Sequence, residues 1–202
     1  VYAVRVDDGY PQYVMLEAED TEAKLFANST QSFAGYSIYI TSHSDDERYW
    51  VIYAKSDVVP TSFYLYDAKK DKYSLLFANL PDLDKKKLSS SIPVKFEASD
   101  GAVISAYITY PAGVDETVAI PLVTLVHGGP NARDYWNFDS EVQLLASQGY
   151  AVLRVNYRGS SGYGWEHMSG SKNQWGGRVQ QDIIEATRWV IQQGGIEQDK
   201  VC

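Results

Sequence analysis

The sequence is poor in the residues from which disulfides and metal sites are built. Its 202 residues include one cysteine, Cys202, and three histidines, His43, His127 and His167. A single cysteine cannot close an intrachain disulfide, and one thiol with three scattered imidazoles lacks the ligand spacing of a metal site. We therefore expect no metal and no other cofactor, and the redox compartment stays undetermined.

Basic residues and long apolar runs are also scarce. The chain has 18 Lys and Arg against 26 Asp and Glu, a net charge of −8, and its only basic run is Lys85–Lys87. Because nucleic-acid binding depends on clustered Lys and Arg, we expect no nucleic-acid partner. No stretch approaches the roughly 18 consecutive apolar residues of a membrane span, so we expect no membrane partner. The chain begins at Val1 without a signal peptide, which leaves a cytoplasmic and an exported location equally open.

Glycine is almost missing from the first 88 residues. This part holds 2 of the 15 glycines but 10 of the 16 tyrosines, so the two parts of the chain differ in composition. Over the whole chain, 45% of the residues are hydrophobic, as in globular proteins. Residues 79–91 mix proline, lysines and serines without an apolar period, which is typical of a linker. The sequence therefore predicts two domains, residues 1–88 and residues 89–202.

The first domain has the alternating pattern of β-strands. Five short runs alternate β-branched or aromatic residues with polar ones: Tyr2–Val6, Tyr36–Ile40, Tyr49–Ala54, Ser62–Tyr66 and Tyr73–Phe77. They predict antiparallel β-structure from Val1 to about Leu80, in a sandwich, a barrel or propeller blades. A four-stranded blade takes about 40 to 45 residues, so this domain corresponds to about two blades. Two blades alone leave long strand edges open, which favours a piece of a larger protein.

The second domain has the pattern of an α/β layered fold. A hairpin over residues 92–110 is followed by the apolar run Leu122–Val126, typical of a strand buried on both faces of a parallel sheet. A helix is predicted over Glu141–Gln148, a strand over Tyr150–Val155 and a longer helix ending at Gly194-Gly195. Lys200–Cys202 is predicted to begin another strand, which gives right-handed strand-helix-strand crossovers.

The strand before His127 leads directly into two glycines and a proline. Glycines at the carboxyl end of a strand let the backbone turn sharply and direct N–H groups into the crevice. The N–H groups of Gly128 and Gly129 could therefore stabilise the oxyanion of an acyl-transfer intermediate, as a His-Gly-Gly-Gly-type loop does in α/β hydrolases. An ordinary tight turn is the alternative, because His-Gly-Gly is a short motif.

A second glycine-rich loop, residues 156–164, follows the next strand. Its three glycines do not have the spacing of a dinucleotide-binding motif, and no Gly-Lys-Ser/Thr follows, so a structural loop is favoured over phosphate binding. Arg158 is either a solvated charge or one half of a partly buried ion pair. The ion pair is favoured, with Asp182 on the next helix as its partner.

From about Tyr49 onward the chain resembles the prolyl oligopeptidase family of serine peptidases, in particular its acylaminoacyl-peptidase and dipeptidyl-peptidase-like branch. The resemblance rests on the order and spacing of five segments: His127–Pro130, Arg133–Trp136, Gln143–Val152, Asn156–Gly164 and Gln174–Gly177. It implies a β-propeller that gates an α/β-hydrolase domain, with peptide substrates bound between the two. It also implies supporting structural roles for His127, Arg158 and Asp182. The sequence leaves open whether the protein forms a homo-oligomer.

The family's nucleophile is missing from the sequence. The resemblance implies a Gly-x-Ser-x-Gly elbow just after the strand begun by Lys200–Cys202, with the acid and the base later in the chain. We therefore expect an incomplete fragment that is inactive alone. His127 precedes the elbow and belongs to the oxyanion loop, so it is not the triad histidine. His43 and His167 are interpreted as surface or structural histidines, and Ser160 and Ser161 as loop residues.

Two other functions stay open. A stand-alone esterase-like α/β hydrolase shares the oxyanion loop but is not expected to carry a tyrosine-rich β-domain in front of it. A non-catalytic binding module is the other alternative, because fold does not fix function. Peptide specificity, exopeptidase or endopeptidase activity and oligomeric state lie beyond the sequence.

Overall fold

The chain divides into two compact units. A computed structural model describes residues 1–16, 20–84, 87–114, 118–129 and 131–202. One unit comprises Val1–Val6 and Pro11–Lys86, and the other comprises Asp7–Tyr10 and Lys87–Cys202. The predicted domains, residues 1–88 and 89–202, differ from these units in two places. The junction lies two residues earlier, after Lys86, and the hairpin tip Asp7–Tyr10 belongs to the second unit.

The first unit is built on an antiparallel meander. Its elements are β1 (Ala3–Asp8), β2 (Tyr10–Met15), α1 (Thr21–Ser32), β3 (Ser37–His43), β4 (Tyr49–Lys55), β5 (Ser62–Asp67) and β6 (Lys72–Ala78). Strands β1 and β2 pair with each other, and β3-β4-β5-β6 form a four-stranded sheet in chain order. The sequence predicts about two propeller blades here, whereas the described residues of the first unit form one four-stranded sheet and one hairpin.

Helix α1 contradicts the prediction of continuous β-structure from Val1 to Leu80. Asp20 precedes the helix, and its side chain accepts a hydrogen bond from the Ala23 N–H at 2.8 Å. Leu25 and Phe26 are buried in one core with Trp50 and other residues of the sheet. The prediction was wrong because an N-cap and a short apolar face suffice for a helix that packs against a sheet.

The second unit is an α/β layer. Its elements are β7 (Ser91–Glu97), β8 (Val103–Thr109), β9 (Ile120–Leu125), α2 (Ser140–Ser147), β10 (Ala151–Asn156), α3 (Trp165–Ser169), α4 (Arg178–Gln193) and β11 (Ile196–Val201). The strand order is β11-β9-β10-β8-β7, in which β9 is parallel to both β10 and β11, while β8 is antiparallel to β10 and β7. Strand β11 begins four residues before the predicted start at Lys200.

The sheet of the second unit is buried on both faces at its centre. All six residues of β10 are buried, whereas β9, for which the apolar run predicts burial on both faces, has only Ile120 and Leu122 buried and its other four residues half-buried. Leu153 and Val155 pack in one core with Val179, Ala186 and Val190 of α4. Helix α4 ends where Gly194 adopts φ +93°, a conformation that favours glycine. Within the described residues, no helix has the length and apolar character needed to cross a membrane.

Candidate active site

The candidate site lies at the carboxyl end of β9. Beyond Leu125 the chain continues through His127 to Gly128 and Gly129, and both glycines are exposed. Gly129 has φ +88°, which a residue with a Cβ rarely adopts. Among the described residues, neither glycine N–H donates a hydrogen bond to the backbone or a side chain. Within the described part of the chain, both N–H groups are therefore available to a ligand oxygen. Pro130 lies outside the described residues.

His127 joins this loop to the second glycine-rich loop. Its ring stacks on that of Tyr157 with centroids 4.5 Å apart, and its Nε2 lies 3.0 Å from Ser160 Oγ. The Tyr157 hydroxyl donates a hydrogen bond to the His127 carbonyl oxygen at 2.8 Å. His127 thus contacts the neighbouring loop through its ring and through its backbone.

The predicted ion pair between Arg158 and Asp182 is confirmed. Asp182 Oδ2 accepts hydrogen bonds from the Arg158 Nε at 2.9 Å and from the Arg158 backbone N–H at 3.0 Å, while Nη2 pairs with Oδ1. The Asp182 side chain is 0% exposed and that of Arg158 is 12% exposed. Arg158, the second residue after β10, is therefore fixed to α4.

Sequence reasoning missed a second carboxylate at Arg158. Asp100, in the turn of the β7-β8 hairpin, pairs with Nη1 of Arg158 and also with Arg178. Hydrogen bonding to Asp182 raises the pKa of the Arg158 guanidinium above its ordinary value. The hydrogen bond from Arg158 lowers the pKa of the Asp100 carboxyl. Nothing in the local sequence around Asp100 indicates this partner, because it is 58 positions from Arg158.

The loop serines have structural contacts. Ser160 is 0% exposed and its hydroxyl donates to the Tyr157 carbonyl at 2.7 Å, so it is not placed to attack a substrate. The Ser161 N–H donates to the Ala132 carbonyl at 3.0 Å, which joins the second loop to the segment after Gly129.

The two other histidines also have structural surroundings. In the second unit, His167 Nε2 lies 3.0 Å from the Tyr157 carbonyl, and burial lowers the pKa of its imidazole. In the first unit, His43 is exposed and its ring lies 4.5 Å from that of Trp50. These surroundings agree with their interpretation as structural and surface histidines.

The sequence analysis also did not predict a polar network next to the Gly128-Gly129 loop. Arg133, Asn156 and Tyr163 join the segment after Gly129 to β10 and to the second loop. Arg133 and Asn156 were noticed only as parts of motifs that carry the family resemblance. The contacts depend on how the two loops fold together, and no local period predicts them.

A buried ion pair lies beside this network. Arg154 of β10 is 2% exposed, and its Nη1 lies 3.7 Å from Oδ1 of Asp134. Burial raises the pKa of the Asp134 carboxyl, and the charge of Arg154 opposes that shift. The Asp134 backbone is also fixed, because its N–H donates to Asn156 Oδ1 at 2.7 Å.

An apolar groove opens next to Gly129. It has a volume of about 240 Å³, and its walls include Val126, Tyr157, Trp175 and Ile183. The groove lies between the carboxyl end of β9 and helix α4. A group bound there would therefore lie beside the Gly128-Gly129 loop and against apolar side chains, with Arg158, Ser171 and Gln180 also lining the groove.

The chain is similar in sequence to known peptidases. Residues 136–202 match the Peptidase_S9 model of the prolyl oligopeptidase family. The chain is 34% identical over 171 residues to dipeptidyl aminopeptidase BIII of Pseudoxanthomonas mexicana, a match that covers 82% of this chain and 25% of that relative. The chain thus spans about a quarter of the length of this relative.

Solved structures agree on the fold. A puromycin-hydrolyzing peptidase of Mycobacterium tuberculosis superimposes with a TM-score of 0.71 at 22% identity, covering 98% of this chain and 30% of that one. The acylaminoacyl peptidase of Pyrococcus horikoshii gives a TM-score of 0.69 at 22% identity with the same coverages. The second unit has the α/β-hydrolase fold. Through the match of residues 136–202 and its dipeptidyl-peptidase relatives, the chain belongs to the prolyl oligopeptidase family of serine peptidases.

Proposed function

We propose that this chain is part of a serine peptidase that cleaves short peptides by acyl transfer, and that it supplies the oxyanion-binding loop. The observation that carries the proposal is the pair of exposed glycines, Gly128 and Gly129, at the end of a central parallel strand, whose N–H groups have no hydrogen-bond acceptor among the described residues. The relatives are named as dipeptidyl and acylaminoacyl peptidases, which supports release of an aminoacyl, dipeptidyl or acylaminoacyl group.

The register of β11 supports a nucleophile shortly after Cys202. The Cys202 N–H donates to the Leu122 carbonyl at 3.0 Å, and the Cys202 carbonyl accepts from the Thr124 N–H at 2.7 Å, so Cys202 lies beside Val123. Parallel strands share their carboxyl edge, and about 3.3 Å separates successive residues. A serine about five residues after Cys202 would therefore arrive level with Gly128, beside the apolar groove.

The mechanism that we assign is covalent catalysis in the complete enzyme. A serine activated by a histidine attacks the peptide carbonyl, and the Gly128 and Gly129 N–H groups donate to the oxyanion that forms. Each such donor contributes on the order of 3 kcal/mol of transition-state stabilisation. We propose that the 202 residues alone are inactive, because the nucleophile, the acid and the base are supplied by other parts of the protein.

The first unit fits the role of propeller blades. Its four-stranded antiparallel meander has the strand number and chain order of one blade. We propose that it belongs to a β-propeller that limits access to the active site to short peptides. The peptide substrate is the only partner that this proposal requires.

The test compares the 202-residue chain with the full-length product of its gene. Both are assayed on aminoacyl, dipeptidyl and N-acyl-aminoacyl chromogenic substrates, with and without a serine-directed phosphonate. We expect phosphonate-sensitive turnover by the full-length protein only. Turnover by the 202 residues alone would mean that the active site is misplaced, and an inactive full-length protein would favour the non-catalytic binding module.

A matched pair of glycine variants tests the oxyanion role. Gly129→Ala is expected to lower kcat by about 100-fold, because a Cβ there would come within 3.2 Å of Ala132 Cβ and the backbone could not keep φ +88°. Gly149→Ala is the control, since Gly149 has φ +92° in the same unit with no atom within 4 Å of its Cβ position. Equal losses of kcat in both variants would contradict a role of Gly129 in the chemical step. Activity on simple esters with none on peptides would favour the esterase alternative.

A further inference from the structure

We infer that Arg133 is a positioning residue that holds the Gly128-Gly129 loop in place through a loop clamp formed by Arg133, Asn156 and Tyr163. The inference rests on the proposed function, because it assigns to the clamp the task of fixing the oxyanion donors. Neither the sequence motifs nor the proposed mechanism gives these three side chains a role.

Arg133 is held on several sides. Its Nη2 donates to the Tyr163 hydroxyl at 2.6 Å and to the Asp7 carbonyl at 2.8 Å, and its Nε donates to the Asp134 carbonyl at 3.2 Å. The guanidinium carbon lies 4.1 Å from the ring centroid of Tyr163 and 4.7 Å from that of Tyr135. A planar guanidinium can donate in several directions and stack on aromatic rings, which a lysine ammonium cannot do.

Asn156 completes the clamp from the end of β10. It is 0% exposed, and its Nδ2 donates to the Tyr163 hydroxyl at 2.7 Å and to the Asp134 carbonyl at 3.2 Å. Its Oδ1 accepts from the Asp134 N–H at 2.7 Å. Asn156 therefore binds both backbone groups of Asp134, and the Tyr163 hydroxyl accepts one hydrogen bond from each of the two other clamp residues.

The hairpin tip Asp7–Tyr10, which belongs to the second unit, anchors the outer side of the clamp. Besides the bond from Arg133 to Asp7, the Gly9 carbonyl accepts a hydrogen bond from the Tyr107 hydroxyl at 2.9 Å. Asp8 forms an ion pair with Lys95 at 2.7 Å. These contacts give Arg133 a fixed acceptor in the folded chain.

The clamp acts on the oxyanion loop through a short connection. Ala132 precedes Arg133, its carbonyl accepts from the Ser161 N–H at 3.0 Å, and its Cβ lies 3.2 Å from the Cβ position of Gly129. Gly162 allows the close approach of Arg133, since a Cβ at residue 162 would lie 2.7 Å from Arg133 Nη1. Residues 131–134 therefore have little freedom to move without displacing Gly129.

The kinetic test uses Arg133→Met in the full-length protein. We expect kcat to fall by about 10- to 100-fold with KM changed by less than about twofold, because a displacement of about 1 Å in a catalytic group costs up to about 100-fold. Arg133→Lys is expected to recover only a small part of the loss. Tyr163→Phe should lower kcat similarly, and the double variant Arg133→Met/Tyr163→Phe should add little. Arg188→Met, at an exposed arginine of α4, is the control with unchanged kcat.

Amide hydrogen exchange supplies a readout that does not depend on turnover. In Arg133→Met, the hydrogen-bonded amides of the two loops, those of Asp134 and Ser161, should exchange at least several times faster, while those of β9 and β10 keep wild-type rates. Faster exchange with unchanged kcat would overturn the positioning role, and so would unchanged exchange in both loops. A wild type without phosphonate-sensitive activity refutes the proposed function, whereas exchange still decides whether Arg133 holds the loop.

Discussion

The ion pair between Arg158 and Asp182 allows a quantitative prediction. Asp182→Asn keeps the side-chain volume but removes the charge that faces the guanidinium. The Asp182 side chain is 0% exposed, and that of Arg158 is 12% exposed. Removing one partner of a buried ion pair costs about 3 to 5 kcal/mol. Because Arg158 keeps Asp100 as a second partner, we expect the lower end, about 3 kcal/mol.

Asp100→Asn is the matched comparison. It removes a carboxylate that binds the same guanidinium, but the Asp100 side chain is 31% exposed. Water screens such a pair, so we expect this variant to lose less than about 1 kcal/mol. The two substitutions are chemically identical; the carboxylates differ in burial and in the number of hydrogen bonds to Arg158, and Asp100→Asn also removes the exposed pair with Arg178.

The assay is urea unfolding followed by tryptophan fluorescence. Four of the five tryptophans belong to the second unit, so the signal reports mainly on the unit that contains the pair. With an m-value of about 2 kcal/mol/M, Asp182→Asn should lower the unfolding midpoint by about 1.5 M at unchanged m. A loss no larger than that of Asp100→Asn would refute the reasoning, because burial of the carboxylate would then have no measurable effect.

Three further predictions follow from titration and chain organisation. The pKa of the Asp100 carboxyl is lowered in the folded chain, so its contribution to stability is present above the ordinary value of 3.8 and is lost as the pH falls through the folded pKa. In Asp100→Asn, the unfolding midpoint should therefore depend less on pH in that range than it does in the wild type. Burial raises the pKa of Tyr107 to about 12, so stability should fall between pH 10 and pH 12, and Tyr107→Phe should reduce this fall in alkaline denaturation. Limited trypsin digestion should cut first within residues 79–91, as mass spectrometry of early fragments would show; first cuts elsewhere would contradict the linker prediction. Two of its lysines, Lys85 and Lys86, lie outside the described residues.

Local patterns predicted the parts of the second unit that depend on neighbouring residues in the chain. The apolar run before His127 predicted the strand β9, although only two of its six residues are buried, and the glycine pairs predicted the end of α4 and the turn after β9. The pairing of Arg158 with Asp182 could also be predicted, because a cation in a glycine-rich loop precedes a helix with a carboxylate near its start. In the first two cases a short segment contains both the feature and its cause, and in the third the two residues, 24 positions apart, lie in a loop and in the helix that follows it.

Contacts that depend on which strands and loops become neighbours in the fold could not be predicted in the same way. Asp7 and Arg133 are 126 positions apart, and Asp134 and Asn156 are 22 apart. The bond between Asp134 and Asn156 forms because β10 is adjacent to β9 in the sheet, which brings the segment after β9 to the end of β10. The sequence shows the donors and acceptors, but the strand order decides which of them come within hydrogen-bonding distance.

Helix α1 is the clearest error of the sequence analysis, and its cause can be tested. The segment between the N-terminal hairpin and β3 has few apolar residues, so its period was not recognised, whereas the structure shows that Asp20 caps the helix through Ala23 at 2.8 Å. Asp20→Ala should destabilise the first unit by about 1 kcal/mol, because the N-cap bond is lost. Asn28→Ala, on the exposed side of α1, is the control and should be neutral or slightly stabilising, since alanine favours helix. If both variants unfold like the wild type, the cap does not determine this helix, and packing of Leu25 and Phe26 against the sheet does.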